Sequence, residues 1–166
     1  KCPYACVNGN GETTIYKNWD IYCDRLLDNG IQLGIISNFA KEFSDKELLT
    51  LSRFTHIEIS CDTADPALFR TLRRGNELPN ILNNMKKLAA LTQHNSRKPV
   101  ISWSCVLSDL NVFTLQDYFI LGIEHGVKSF NLCNLVTYQK LDSITMPRHV
   151  LDLPAEDFKK AAFILN

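Results

Sequence analysis

The stretch Gly9-Asn10-Gly11-Glu12 decides how the rest of the chain is read. It follows a short apolar run over residues 4–7 and precedes a run with helical spacing. A strand that ends this way puts two glycines and a carboxylate in one turn. Glycine lets backbone N–H and C=O groups come close to a small molecule, because no side chain stands between them. Downstream one theme repeats: apolar strand, polar turn, amphipathic helix. That pattern implies a ligand lying across the carboxyl ends of the strands.

Working outward, residues 31–36 are mostly apolar and rich in Ile, as in a buried strand, and end at Ser37-Asn38. Residues 56–60 alternate and close on Cys61-Asp62. Residues 100–107 and 127–135 read as two further strands, and 4–7 as a short first one. Between them, Trp19, Tyr22, Cys23, Leu26 and Leu27 recur at helical spacing, with Asn29-Gly30 as the stop. Ser44 with Glu47 forms a capping box for a short helix ending near Leu51. A helix from near Pro66 leads to Arg73-Arg74-Gly75. Ile81, Met85, Leu88 and Ala89 mark another, ending near Gln93. Residues 115–125 form a helix stopped by Gly126, and Pro154 opens a final one. Strands alternating with helices predict an α/β fold with a parallel sheet and right-handed crossovers. The strands are too few to close an eight-stranded barrel, so an open or partial barrel is expected. The Gly-x-Gly-x-x-Gly of dinucleotide-binding folds is missing.

At 166 residues the chain has the length of one domain. Its apolar fraction of 45% and charged fraction of 22% are ordinary for a globular protein. The net charge is zero, so no bulk basic field points to nucleic acid. No apolar run approaches the roughly 18 to 20 residues a membrane span needs. The chain starts at Lys1 with no signal-peptide core behind it, and stops inside an apparent helix. An excerpt of a longer protein is therefore expected. The six cysteines, at 2, 6, 23, 61, 105 and 133, fall mostly inside apolar runs. Free thiols in a reduced, cytoplasmic setting fit this better than disulfides. Cys61, Cys105 and Cys133 are expected in the core, together with Trp19 and Trp103. His56 and His125 read as packing or helix-end residues.

In parallel α/β folds ligands bind beyond the carboxyl ends of the strands. Here those ends carry Gly9 to Glu12, then Ser37 and Asn38, then Ser60 and Asp62, then residues 108–111, then Asn134. Ser60 and Asp62 are two apart and share a face if the strand persists. A carboxylate there can accept both hydroxyls of a ribose. Glu12 can accept from an ammonium group, and Arg73 or Arg74 can clamp a carboxylate. Such a set suits a zwitterionic nucleoside. Read singly, the same residues also fit blander roles: a turn for Gly9 to Glu12, a helix cap for Ser60 or Asp62, a solvated pair for the arginines. No Ser/His/Asp arrangement and no metal-binding His/Cys spacing stands out.

In this order the motifs resemble those of radical SAM enzymes. Gly9-Asn10-Gly11-Glu12 is similar to their G-G-E motif, and Leu33 to Asn38 to the strand that often ends in T-N-G. Ile57 to Asp62 resembles their S-x-D signature, and Phe69 to Gly75 the R-x-G run after it. The resemblance spans residues 4–140. It implies a partial (β/α)6 TIM-like barrel with parallel strands, incomplete at both ends. Residues 1–166 would then be a single domain running from the second to the sixth βα unit. It further implies S-adenosylmethionine and a [4Fe–4S] cluster as cofactors. The reduced cluster would cleave the nucleoside to a 5′-deoxyadenosyl radical that abstracts hydrogen from a small-molecule or peptide substrate. An electron donor such as flavodoxin or ferredoxin is implied with it. The implied cofactor-binding set is Gly9, Gly11, Glu12, Ser37, Asn38, Ser60, Asp62, Arg74 and Asn111. Gly11 and Glu12 would meet the methionine amino group. Ser60 and Asp62 would lie near the ribose or carboxylate, and Arg74 or its neighbour Arg73 near the methionine carboxylate. Asn111 would sit at the rim.

The chain departs from the family at the cluster. The family spaces three cysteines C-x3-C-x2-C after its first strand. Cys2 and Cys6 have the first spacing, but the third position is Gly9. Both also precede the glycine turn directly, so neither is assigned as a ligand, and the ligands are expected upstream of Lys1. Thr13 stands where the family often has Pro, and Phe39 where it often has Gly. The polar segment 137–149 is expected over the barrel mouth or on the way to a further domain. Two other classes remain open. Another barrel enzyme, such as an aldolase, needs a strand-end Lys or a late Gly-rich phosphate loop, and neither is evident. A non-catalytic α/β module would bind a protein partner instead.

Overall fold

The computed structural model describes residues 3–9, 11–136 and 147–165. Cys2, Asn10 and most of the segment 137–149 lie outside the described residues. Strands β1 (Tyr4–Cys6), β2 (Gln32–Ser37), β3 (His56–Ser60), β4 (Val100–Leu107) and β5 (Ser129–Asn134) form one sheet in the order β1-β2-β3-β4-β5. Every neighbouring pair is parallel. The helices are α1 (Trp19–Asp28), α2 (Asp45–Ser52), α3 (Pro66–Leu72), α4 (Leu78–Leu91), α5 (Leu115–Glu124) and α6 (Ala155–Leu165). Because each strand lies beside its sequence neighbour, crossovers of one hand bring the helices back to the same face. The sheet therefore has a helix-covered face and an inward face. Among the described residues β1 and β5 do not pair with each other, so the barrel is not closed.

The alternation in β3 shows the division. Ile57 and Ile59 are wholly buried, while His56, Glu58 and Ser60 are half-buried on the other face. Register carries the division across the sheet: Ile35 lies beside Ile57, Ile57 beside Ile101, and Ile59 beside Trp103. Behind these, Trp103, Tyr118, Phe119 and Phe130 form an aromatic cluster between β4, β5 and α5, with ring centroids 5.0 to 6.3 Å apart. Burial of each large apolar side chain in such a core contributes about 1.5–3 kcal/mol.

Helix ends follow local chemistry. Ser44 and Glu47 complete the capping box at α2. Asp65 caps α3 by accepting from the Leu68 N–H at 2.8 Å, with Pro66 in the first turn. Three single-turn 3-10 helices, Thr13–Ile15, Val112–Thr114 and Val150–Asp152, were not expected from periodicity, since three residues are too few to show one. Cys133 corrects an expectation. It lies on the inward face of edge strand β5 and is exposed, whereas Cys61 and Cys105 are fully buried. Burial pushes both of those thiols up to about 12. After β5 the chain returns to the strand ends, where Arg148 is tied to Asp109 just past β4. The Arg148 backbone N–H donates to Asp109 Oδ1 at 2.8 Å and its Nε to Oδ2 at 2.7 Å.

Candidate functional site

The carboxyl ends of β1 and β2 meet at Glu12. Its Oε1 accepts from the Thr14 N–H at 3.1 Å, the Thr14 hydroxyl at 2.7 Å and the Ser37 hydroxyl at 2.9 Å. Its Oε2 accepts from the Asn38 N–H at 2.6 Å. One carboxylate thus binds the glycine turn after β1 to the end of β2. A carboxylate has about four acceptor positions, and those that remain are on Oε2.

The turn is also tied down on its other side. The Asn8 side-chain amide accepts from Ile36 N–H and donates to Ile36 C=O, both at 3.0 Å. It continues the β1–β2 ladder with a side chain where the backbone has left the sheet. The Thr13 hydroxyl donates to Val7 C=O at 2.8 Å. Between these anchors Gly11 adopts a φ of +106°, which only glycine takes readily. A Cβ built on Gly9 or Gly11 meets no atom of the described residues within 4 Å, so among these residues nothing fills the space directly over either glycine.

Behind the turn lies a supporting network. Lys41 Nζ donates to Thr14 C=O at 2.7 Å and pairs with Glu47 Oε1, which also accepts from Trp19 Nε1 at 2.9 Å. Lys41 stands 5.8 Å from the Trp19 ring and 5.1 Å from that of Phe43. Burial alone would raise Glu47. The bonds from Lys41, Ser44 and Trp19 outweigh it and hold the carboxyl at about 2. Buried Asn84 of α4 donates to the carbonyls of Phe39 and Lys41 at 3.0 and 2.7 Å, fixing the loop after β2. Beyond the Ser44–Glu47 capping box, sequence reading missed this layer. Its bonds from Lys41 to Thr14, from Trp19 to Glu47 and from Asn84 to Phe39 and Lys41 join residues 27 to 45 apart, where no periodicity operates; Asn8, an amide directly before glycine at a strand end, was the one local signal.

The residues beyond β3 and β4 take different parts from those expected of them. Ser60 lies half-buried on the inward face. Asp62 is buried, and the protein occupies both of its oxygens. Oδ1 accepts from the Val106 N–H and from Arg73 Nη2, each at 2.8 Å. Oδ2 lies 2.6 Å from Arg73 Nε, an ion-pair contact too bent to be a hydrogen bond. Asp62 therefore extends the β3–β4 ladder and neutralises Arg73, and a ribose would have to share it. Of the two arginines it is Arg73 that faces the strand ends. Arg74 is exposed, with a φ of +52°. Asn111 is not at an open rim. It is 1% exposed, donates to the carbonyls of Asp62 and Val106 at 2.9 Å, and accepts from the Ser108 N–H at 2.8 Å. Its amide closes the loop after β4. Ser37 is buried, donates to Glu12 and accepts from the Phe39 N–H at 2.9 Å, so it positions the carboxylate. The structure thus brings Gly9, Gly11, Glu12, Ser37 and Asn38 together at one point, with Ser60 on the next strand. Among the described residues no group of three or more His, Cys, Asp or Glu is placed to hold a metal ion. No helix among them is long and apolar enough to cross a membrane.

No protein-family model and no curated protein matches the chain. Solved structures do. Streptococcus suis SuiB bound to S-adenosylmethionine is 17% identical with a TM-score of 0.65, over 83% of this chain and 31% of SuiB. TYW1 with a lysine-pyruvate adduct bound is 17% identical with a TM-score of 0.60, over 98% of this chain and 49% of TYW1. A domain of pyruvate-formate lyase-activating enzyme from Bacteroides vulgatus is 12% identical with a TM-score of 0.54, over 97% of this chain and 91% of that domain. This chain spans about a third of the length of SuiB. These neighbours are radical SAM enzymes, and at such identities the likeness is one of fold. The chain has their α/β, TIM-like barrel architecture, as an open sheet of five parallel strands.

Proposed function

We propose that the chain is the S-adenosylmethionine-binding core of a radical SAM enzyme, corresponding to the second to sixth βα units of the barrel. The observation that carries this is the Glu12 carboxylate bridging the glycine turn to the end of β2, with the space over Gly9 and Gly11 unfilled by the described residues. The neighbours support it through their shared fold, one of them with S-adenosylmethionine bound. Glu12 Oε2 has acceptor capacity for the methionine ammonium. Gly9 and Gly11 give the ligand access to backbone, and Asn38 and Ser60 border its path. Exposed Arg74, or the Nη1 of Arg73 that Asp62 leaves unengaged, would meet the methionine carboxylate. Ser37, Asp62 and Asn111 act behind these as positioning residues. When bound together with a [4Fe–4S] cluster, S-adenosylmethionine supplies radical hydrogen abstraction. The described residues include no ligand set for the cluster, so its cysteines would come from elsewhere in the protein. A peptide substrate fits the SuiB structure solved with its precursor peptide, and flavodoxin or ferredoxin would deliver the electron.

Binding of S-adenosylmethionine by equilibrium dialysis tests the proposal. Saturable binding is expected, weakened in Glu12→Ala by roughly 1 to 3 kcal/mol, the cost of losing a hydrogen bond to a charged group. The whole reading frame, reconstituted without oxygen, should release 5′-deoxyadenosine. The self-occupied Asp62–Arg73 pair favours one alternative, a non-catalytic module that keeps the barrel and binds a protein partner. That module would show no affinity for the nucleoside.

A further inference from the structure

The inward face of the sheet carries a second feature, below the strand ends. In an ordinary TIM barrel the inward positions are filled by layers of bulky branched residues. Here the two inner rows across β3, β4 and β5 contain Glu58, Ser102 and Ser129, then Ser60, Ser104 and Asn131. Ser102 is buried, with its hydroxyl 2.7 Å from Nε2 of His56 on the same face. The other side chains of these rows cannot be dried without leaving polar groups unpaired, so this face is built for a polar occupant. Of all inward positions along the five strands, one holds a carboxylate: Glu58, at the middle of the central strand, with His56 two residues before it engaged on Ser102. Among the described residues no cation forms an ion pair with it. Its Oε2 accepts from Asn131 Nδ2 at 2.8 Å, which orients the carboxylate, and no hydrogen bond from the described residues reaches Oε1. Its field extends across β2 to β1, where burial first and Glu58 second raise the Cys6 thiol.

The geometry points to Glu58 as the anchor for a cationic nitrogen of the substrate, an ammonium or guanidinium group. Glu58 lies two residues below Ser60, roughly 7 Å deeper than the end of that strand. A substrate held there by its cationic end would reach up toward the nucleoside at the strand ends. That the occupant is a substrate rests on the function proposed above. That it is cationic rests on the inward face alone.

The probes are Nα-acetyl-lysine methylamide and its uncharged glutamine counterpart, titrated into the 166-residue chain at low ionic strength and followed by two-dimensional NMR. The lysine probe should bind saturably, with shifts centred on Glu58, Ser104 and Asn131, and the glutamine probe at least tenfold more weakly. Glu58→Gln should lose that preference, and Glu58→Asp, which keeps the charge, should retain it within a few-fold. Equal binding of the two probes, no binding of the lysine probe, or an undiminished preference in Glu58→Gln overturns the assignment. If Glu58→Gln does not fold, loss of the preference in a folded Glu58→Asp overturns it equally. Dialysis with S-adenosylmethionine separates the two claims. Lysine-probe binding without nucleoside binding removes the cofactor reading and leaves the anchor, and the converse removes the anchor alone.

Discussion

Phe39 holds a backbone conformation that suits glycine. Its φ is +53°, yet its ring is fully buried, 4.9 Å from that of Phe43, and Asn84 holds its carbonyl. A left-handed conformation costs a residue with a Cβ about 1–2 kcal/mol. The surrounding bonds over-determine it, directly beside Ser37 and Asn38. Phe39→Ala should therefore cost about 3–5 kcal/mol, because it removes the ring and keeps the strain. Phe39→Gly should be about 1 kcal/mol more stable than Phe39→Ala, the reverse of the usual order in regular structure. Urea unfolding of both variants checks this; a glycine variant less stable than the alanine one would remove the strain. The residues flanking this loop show where reading a sequence stops. That Glu12, Ser37 and Asn38 lie together was legible, because each follows an apolar run. The choice between Arg73 and Arg74 was not, because it depends on how the chain leaves α3. Asp62 looked like a free carboxylate, since nothing local announces that Val106 and Arg73 occupy it.

At the scale of elements, packing of α5 on the sheet depends on one missing side chain. A Cβ on Gly122 would stand 2.6 Å from the Phe130 ring and 3.1 Å from that of Trp103. Both rings are locked in the aromatic cluster and have little room to retreat. Gly122→Ala gains helix propensity of about 1 kcal/mol but overpacks the core at a cost of about 1–3 kcal/mol. Net destabilisation is expected, with loss of near-ultraviolet ellipticity from Trp103 and Tyr118. A variant as stable as the wild type would mean that α5 can move outward freely. Elements themselves were legible wherever the pattern was long or chemically marked. The alternation of β3, the run of β4 and the capping box of α2 all stand where the residues placed them. What periodicity could not supply is Gly122, which reads as a weak point in a helix until Phe130 is known to lie behind it.

At the scale of the whole molecule, Glu47 joins α1, the turn after β1 and the loop after β2 through Trp19, Lys41 and Ser44. Its carboxyl lies at about 2 in the folded chain against an ordinary 4.5. A depressed value contributes stability above the ordinary pKa, and that stability is lost as pH falls through the folded one. Between pH 4.5 and 2 the wild type should lose about 2 kcal/mol more than Glu47→Gln, allowing for partial solvent screening at Lys41. Unfolding free energies at a series of pH values test this, and parallel curves would show that Glu47 is not the linchpin. The topology was legible as a whole, because alternating strands and helices admit few arrangements. The cross-chain stitching was not, because each stitch is a single side chain acting at long range. One of those stitches is also a chemical clock. Asn8 precedes Gly9, and an asparagine before glycine deamidates when the following backbone nitrogen attacks its side-chain carbonyl and expels ammonia. While the amide is paired with Ile36 it cannot turn to meet that nitrogen. Ageing at Asn8 therefore counts the moments when the turn lets go of the sheet. The product leaves an oxygen facing the Ile36 carbonyl where a donor had been, so a protein that has aged there cannot close the turn again.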